Sequence, residues 1–86
     1  MSDLTGKVFM VTGGESGIGQ AIALRAARDG AKVVVAGLNS DGLNDTVSTM
    51  SNYSGEGFAK PTDVTNQEQV RDMVAATVDR FGRLDG

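Results

Sequence analysis

The feature that most constrains this chain is a glycine-rich turn, Thr12-Gly-Gly-Glu-Ser-Gly-Ile-Gly19, in which four glycines fall within seven positions. An apolar run rich in β-forming residues, 7–12, precedes the turn, and a stretch with apolar residues at helical spacing, 17–29, follows it. A helix N-terminus presents unpaired amides and the positive end of the helix dipole, and glycines let an anion approach that backbone closely. The context therefore predicts a phosphate-binding turn between a strand and a helix. For the glycines alone, a tight turn without a ligand is the alternative.

Strands and helices alternate along the chain. Strands are predicted over residues 7–12, 31–36 and 57–60, and helices over residues 17–29, around the low-propensity stretch 43–50, and after residue 65 up to residue 81. Such alternation with short loops is typical of parallel strands joined by right-handed crossovers. The sequence therefore predicts an α/β fold of order βαβαβα, a parallel sheet with helices on both faces.

The ends of two helices carry recognisable signals. Thr65 and Glu68 fit a capping box at the start of the last helix, with Thr65 as the N-cap. Gly30 and Gly82 stand where helix C-termini favour a residue of positive φ. These four residues are expected to mark helix boundaries.

Composition excludes several classes of protein. The 86 residues allow one hydrophobic core and not two domains. The chain has no Cys and no His, which excludes disulfides and thiolate ligands and removes the commonest metal ligand and general base, so no metal site is predicted. A net charge of −3 without a cluster of Lys and Arg argues against nucleic acid as a partner. No apolar run approaches the roughly 18 residues that a membrane span needs, and the polar, acid-bearing N-terminus is no secretory signal, so we expect no membrane partner and a cytoplasmic location.

The spacing of the glycine turn, Thr-Gly-x-x-x-Gly-x-Gly, resembles the nucleotide-binding pattern of the short-chain dehydrogenase/reductase family. It differs from G-x-G-x-x-G, because Ile22 stands where the third glycine would be. A methyltransferase that uses S-adenosylmethionine also has a glycine-rich turn, but this spacing disfavours it. Four further segments resemble the family in order and at family spacing: residues 16–23 its first helix, residues 30–37 its second strand, Asp63-Val-Thr65 its acidic motif after the third strand, and Phe81-Gly-Arg-Leu-Asp85 the lead into its fourth strand.

The resemblance implies a Rossmann-like, partial doubly wound fold. Residues 1–86 would be the N-terminal part of a single dinucleotide-binding domain, truncated before the fourth strand. The family's strand order, which begins 3-2-1-4, would then leave the first strand as an unpaired apolar edge. Exposed edges of this kind recruit partners or aggregate, so these residues alone are expected to be marginally stable unless something covers the edge.

The resemblance also implies which residues bind a nicotinamide dinucleotide. Asp63 would contact the adenine amine, and Val64 would pack on the ring or offer a backbone amide. For Asp63, a turn carboxylate without a ligand contact is the alternative. Ser16 would cap the first helix, contact phosphate, or do both. Ile18 either packs in the core with Ile22, with which it shares a helix face, or offers its backbone amide to the ligand. The expected cofactor-binding residues are Gly13, Ser16, Gly17, Ile18, Gly19, Leu38, Asn39, Asp63 and Val64.

The choice between NAD and NADP depends on the end of the second strand. An acidic residue at position 37 would bond the ribose hydroxyls of NAD, and a basic residue at position 38 or 16 would hold the 2′-phosphate of NADP. This chain has Gly37, Leu38 and Ser16, so both discriminators are absent. Asn39 could bond hydroxyls or phosphate, or cap the next helix. The lack of a nearby cation favours NAD.

The catalytic groups of the family, a Ser and a Tyr-x-x-x-Lys motif, do not occur in these 86 residues. Tyr53 is the single Tyr, and Gly57 stands where the Lys would be, so no catalytic residue is predicted. The resemblance implies the NAD(P)-binding portion of an oxidoreductase. At full length it would form homo-oligomers and transfer a hydride between the nicotinamide and an alcohol or carbonyl substrate. The 86 residues alone are expected to be inactive. A non-catalytic module that binds a nucleotide or a partner is the alternative.

Overall fold

The computed structural model describes residues 4–13, 17–53 and 55–86. Strands and helices alternate in them as expected: β1 (Val8–Thr12), α1 (Gly17–Arg28), β2 (Lys32–Gly37), α2 (Ser40–Met50), β3 (Glu56–Pro61) and α3 (Gln67–Phe81). Each predicted strand differs from the observed one by a single residue at one or both ends. Every helix in this described part of the chain is too short or too polar to span a bilayer.

The three strands of the described residues form one parallel sheet, with β2 between β1 and β3. Val33 of β2 pairs with Phe9 of β1 on one side and with Gly57 of β3 on the other. Parallel strands need crossover connections, which α1 and α2 supply. The Rossmann-like α/β fold class is confirmed, and the strand order agrees with the 3-2-1 part of the expected arrangement.

The core lies between β2 and the helix pair α1 and α2. Val33 and Val35 of β2 are fully buried and belong to the same apolar cluster as Leu43 and Met50 of α2. The buried members of the cluster that come from α1 are small side chains, which allow the helix to lie close to the sheet: Ala23, Ala26 and Ala27. Leu24 of α1 is partly buried against the same cluster.

The expected core face of α1 is only partly the buried face. Ile18 is 80% exposed and Ile22 is 54% exposed, whereas Ala26 is buried. Both isoleucines border an apolar groove that Phe9 and Val11 of β1 also line. The alanines of α1 pack toward β2. Ile18 and Ile22 therefore lie beside β1, where the described residues include no further helix or strand to cover them. The expectation that Ile18 packs in the core is therefore wrong.

The last helix begins one residue later than the capping box predicted. Asn66, not Thr65, is the N-cap, because its side-chain oxygen accepts a hydrogen bond from the N–H of Gln69 at 3.1 Å. The Thr65 hydroxyl instead donates to Oδ1 of Asp63 at 2.6 Å. A carboxylate two residues away competes for the hydroxyl, and Asn is at least as good an N-cap as Thr. Gly82 ends α3 with φ of +80°, as predicted.

The outer edge of β1 is partly covered, which corrects the expectation of an unpaired edge. The N–H of Asp85 donates to the Val8 carbonyl at 2.8 Å, and the N–H of Met10 donates to the Gly86 carbonyl at 2.7 Å. The N–H of Gly86 also reaches the Val8 carbonyl at 3.3 Å. Gly86 thus donates to the Val8 carbonyl and accepts from the Met10 N–H, which is the hydrogen-bond pattern of paired parallel strands. Residues 85–86 therefore begin a parallel pairing along β1.

Candidate functional site

A pocket of about 280 Å³ lies at the carboxyl ends of the strands. Two backbone hydrogen bonds hold these ends together: Gly13 N–H to the Ala36 carbonyl at 2.8 Å, and Thr62 N–H to the Gly37 carbonyl at 2.7 Å. Ligands of open α/β sheets bind at this edge, so the pocket is the candidate site. Residues at or just after the ends of β1, β2 and β3 form its walls: Gly13, Gly37, Leu38, Thr62, Asp63, Val64 and Thr65.

The described residues leave space around Gly17 at the start of α1. Gly13 and Gly17 have φ of +71° and +60°, values that side-chain-bearing residues disfavour. A Cβ added to Gly17 would meet no atom of the described residues within 4 Å. The first turn of α1, which includes Gly19, carries no acidic residue that would repel an anion. Ser16, expected to cap α1 or contact phosphate, lies outside the described residues.

Two apolar side chains flank the pocket although they are largely exposed. Leu38, just after β2, is 75% exposed, and Val64, after β3, is 51% exposed. Exposed aliphatic side chains beside a pocket provide apolar walls for a flat ring. Ile18 lies apart from these two, in the groove beside β1.

The Asp63 carboxylate is held by its own turn. Its Oδ1 accepts hydrogen bonds from the Thr65 hydroxyl at 2.6 Å and from the Thr65 backbone N–H at 3.0 Å. The side-chain bond first, and the backbone bond second, lower the pKa of Asp63 below its ordinary value. The backbone N–H of Asp63 donates to Oε1 of Gln69 at 2.8 Å, which ties the turn to α3. Asp63 therefore presents an ionised carboxylate in a fixed orientation at the pocket wall.

Asn39 acts as the N-cap of α2, one of the two roles that the sequence left open. Its Oδ1 accepts a hydrogen bond from the N–H of Gly42 at 3.0 Å, and its backbone is extended. A ligand contact by Asn39 stays a prediction. No lysine or arginine is among the described residues that line the pocket.

Sequence reasoning missed two residues that shape the site. Thr62 is 2% exposed, and its hydroxyl donates to the Lys60 carbonyl of β3 at 2.9 Å. Its backbone N–H donates to the Gly37 carbonyl at 2.7 Å, which joins the end of β3 to that of β2. Gln69 holds the backbone of Asp63. Two signals in the sequence could have found them. Thr62 is a polar residue directly after a strand, and Gln69 is a Gln three residues after Asn66, which is a good N-cap. Tyr53, to which no role was assigned, lies between α2 and β3, at the amino ends of the strands and so opposite the pocket.

Comparison of sequences places these features in a known family. The family of short chain dehydrogenases matches residues 7–86. An uncharacterized oxidoreductase of Staphylococcus aureus is 45% identical over 85 residues, which are 99% of this chain and 36% of that protein. A 3β-hydroxysteroid dehydrogenase of Mediterraneibacter gnavus is 39% identical over 79 residues, 92% of this chain and 29% of that protein. The chain thus spans about a third of the length of these curated relatives.

Solved structures give the same result. A short-chain type dehydrogenase/reductase from Mycobacterium ulcerans superimposes with a TM-score of 0.94 at 33% identity, over 99% of this chain and 32% of that one. A short chain dehydrogenase/reductase from Burkholderia phymatum, solved in complex with NAD, superimposes with a TM-score of 0.89 at 36% identity, over 98% of this chain and 30% of that one.

Proposed function

This chain belongs to the short-chain dehydrogenase/reductase family, and we propose that it is the part of an oxidoreductase that binds a nicotinamide dinucleotide. The observation that carries the proposal is that residues at the ends of three strands line one pocket, and that the described residues leave space around Gly17 at the start of α1. The family as a whole binds NAD or NADP. When bound, the nicotinamide would supply hydride transfer to or from an alcohol or carbonyl substrate of the whole protein.

Each expected residue has a physical task in this proposal. Gly13, Gly17 and Gly19 keep side chains away from the amides at the start of α1, where the pyrophosphate would lie. Leu38 and Val64 provide apolar walls for the adenine ring, and their exposure leaves them available for it. The wider set proposed to contribute includes Ile18, through its backbone amide, and also Ser16, Asn39 and Asp63.

Asp63 is suited to hold the exocyclic amine of the adenine. Its pKa is lowered by the two Thr65 hydrogen bonds, so the carboxylate is ionised at neutral pH and accepts from an N–H donor. The hydroxyl of Thr65 and the side chain of Gln69 fix the turn that carries it. This arrangement positions an acceptor without the need for a further conformational change.

We propose NAD rather than NADP as the preferred dinucleotide. The described pocket walls carry a negative charge at Asp63 and no lysine or arginine. A 2′-phosphate there would lose its hydration without gaining a cation. A cytoplasmic location and assembly into homo-oligomers stay predictions.

The 86 residues by themselves are proposed to bind without catalysing. The chain contains no Tyr-x-x-x-Lys, and Tyr53 lies at the sheet edge opposite the pocket. A module that binds a dinucleotide and performs no chemistry would have the same features, and activity measured on the longest form of the protein separates the two.

The test is a fluorescence titration of NADH and NADPH with two matched variants, Gly17→Val and Gly82→Val. Both glycines have left-handed backbones, with φ of +60° and +80°, and both have open space around them, so valine strains each alike. Only Gly17 lies at the proposed pyrophosphate site.

We expect Gly17→Val to weaken NADH binding at least about tenfold, and Gly82→Val to retain wild-type affinity while unfolding at lower temperature. Wild-type protein should bind NADH more tightly than NADPH. Equal loss of affinity in the two variants would mean that backbone strain, and not the position at α1, explains the effect.

A further inference from the structure

A side-chain hydrogen bond joins the two helices that border the site. Nε2 of Gln20, in the first turn of α1, donates to Oγ1 of Thr46 in α2 at 3.1 Å. Thr46 is fully buried, and its own hydroxyl donates to the Gly42 carbonyl at 3.0 Å. Because a hydroxyl has a single hydrogen, that bond leaves its oxygen to accept from Gln20.

The connection continues to the loop at the end of β2. The N–H of Gly42 donates to Oδ1 of Asn39, the N-cap of α2. Gly42 is therefore held at its carbonyl by Thr46 and at its N–H by Asn39. Leu38, the neighbour of Asn39, lines the pocket. A series of hydrogen bonds through Thr46 and Gly42 thus links Gln20 of α1 to Asn39, the neighbour of Leu38.

We propose that Gln20 and Thr46 are positioning residues that set the spacing between two halves of the dinucleotide site. One half is the start of α1, beside Gly17, and the other is the loop at residues 38–39. The inference rests on the proposed function. A ligand that spans two elements binds tightly only when their separation is already correct, because otherwise part of the binding energy is used to order them.

The packing between α1 and α2 leaves this spacing to be set by a directional contact. The two helices meet in an apolar cluster to which α1 contributes small alanines and α2 contributes Leu43 and Met50. Apolar contacts of this kind are non-directional, so they oppose separation of the helices more than sliding. A hydrogen bond has a preferred length and angle, so Gln20 restrains sliding as well.

Burial of the Thr46 hydroxyl does not by itself require Gln20. The hydroxyl already has an acceptor in its own helix, the Gly42 carbonyl, as threonines in helices commonly do. A helix stabilised only by that bond would tolerate any side chain at residue 20. The bond to the Gln20 amide is additional, and it crosses from α2 to the first turn of α1.

The test uses Gln20→Met, Thr46→Val and the double variant, each of which removes hydrogen bonding with little change in shape. Thr46→Ser keeps the hydroxyl and serves as the rescue variant. Thr49→Val is the matched control, because the Thr49 hydroxyl donates to the Asp45 carbonyl within α2 in the same way. The probes are NADH, which would span both halves of the site, and adenosine, which would reach the pocket walls at Leu38, Asp63 and Val64 but not the start of α1. Circular dichroism and thermal unfolding check the fold of each variant.

We expect Gln20→Met and Thr46→Val each to weaken NADH binding about threefold to tenfold, with adenosine binding unchanged within about twofold. The double variant should lose no more NADH affinity than the single variant that binds NADH less tightly, because both substitutions remove the same hydrogen bond. Thr46→Ser and Thr49→Val should bind NADH as the wild type does. Equal loss of affinity for NADH and adenosine would overturn this inference but not the proposed function. Unchanged NADH affinity in folded variants would do the same. A wild-type protein that binds no dinucleotide would overturn the proposed function and the inference with it.

Discussion

Oδ2 of Asp85 accepts a hydrogen bond from the backbone N–H of Val8 at 2.8 Å, across 77 positions of sequence. The same residue donates its own N–H to the Val8 carbonyl at 2.8 Å. Arg83 forms an ion pair with the other carboxylate oxygen at 2.6 Å. Asp85 therefore forms hydrogen bonds with both the N–H and the carbonyl of Val8, and these bonds align residues 85–86 along the outer edge of β1.

The hydrogen bond and ion pair of the Asp85 carboxylate should make the stability of the chain dependent on pH. The Arg83 hydrogen bond and the Val8 N–H lower the pKa of Asp85 below its ordinary value, near 3.9. A carboxyl whose pKa is lower in the folded state contributes stability above the unfolded-state pKa and loses it as pH falls through the folded-state pKa. Wild-type protein should therefore lose more stability on acidification than Asp85→Ala does, as measured by urea midpoints from pH 7 down to pH 3.

A control variant separates this effect from general loss of surface charge. Asp72→Asn removes an exposed carboxylate from α3 and should keep the wild-type midpoint at pH 7, where Asp85→Ala already unfolds at lower urea concentration. Parallel pH profiles for wild type and Asp85→Ala would contradict the prediction.

The alanine variants of Gly55, which directly precedes β3, and of Gly57, in β3, should differ in stability. A Cβ on Gly55 would lie 2.6 Å from the Ala27 carbonyl oxygen and 2.8 Å from the Ala27 Cα, which are backbone atoms of α1 and cannot move aside. A Cβ on Gly57 would lie 3.1 Å from Sδ and Cε of Met50, the flexible end of a side chain. We expect Gly55→Ala to cost about 2 kcal/mol or more in the free energy of unfolding, and Gly57→Ala to stay within about 1 kcal/mol of wild type. Chemical denaturation checks both, and similar losses would argue against the close approach of β3 to α1.

The hydroxyl of Thr65 should determine the acidity of Asp63. Thr65→Val removes the hydrogen bond that contributes most to the lowered pKa, so the pKa of Asp63 should rise toward its ordinary value. Thr65→Ser keeps the hydroxyl and should retain the low pKa. Carboxyl carbon chemical shifts followed by NMR over pH give the value directly. An unchanged pKa in Thr65→Val would show that the backbone N–H of Thr65 alone holds the carboxylate.

Local patterns in the sequence predicted the elements and much of the site. The positive-φ positions Gly30 and Gly82 were identified correctly because glycine at a helix C-terminus has a steric reason that is independent of the rest of the fold. Leu38 and Val64 were expected at one site because of the resemblance to the family, and both line the pocket. The roles of the site residues toward a ligand stay predictions.

Other features depended on competition between partners that are distant in sequence or equivalent in chemistry. Ile18 and Ile22 have the spacing of a core face, yet they are exposed because the alanines of α1 fit more closely against β2. Thr65 and Asn66 are both good N-caps, and only the position of the Asp63 carboxylate decided between them.

The sequence by itself determined the order of strands and helices, their approximate bounds and the edge of the sheet at which a ligand would bind. These follow from periodicity, glycine placement and the geometry of parallel strands, all of which are local or topological. Only the tertiary structure decided which face of α1 is buried, that Gln20 bonds to Thr46, and that Asp85 holds Val8. Those contacts join residues 26 and 77 positions apart, and their formation depends on how closely the helices and strands pack, which no local pattern encodes.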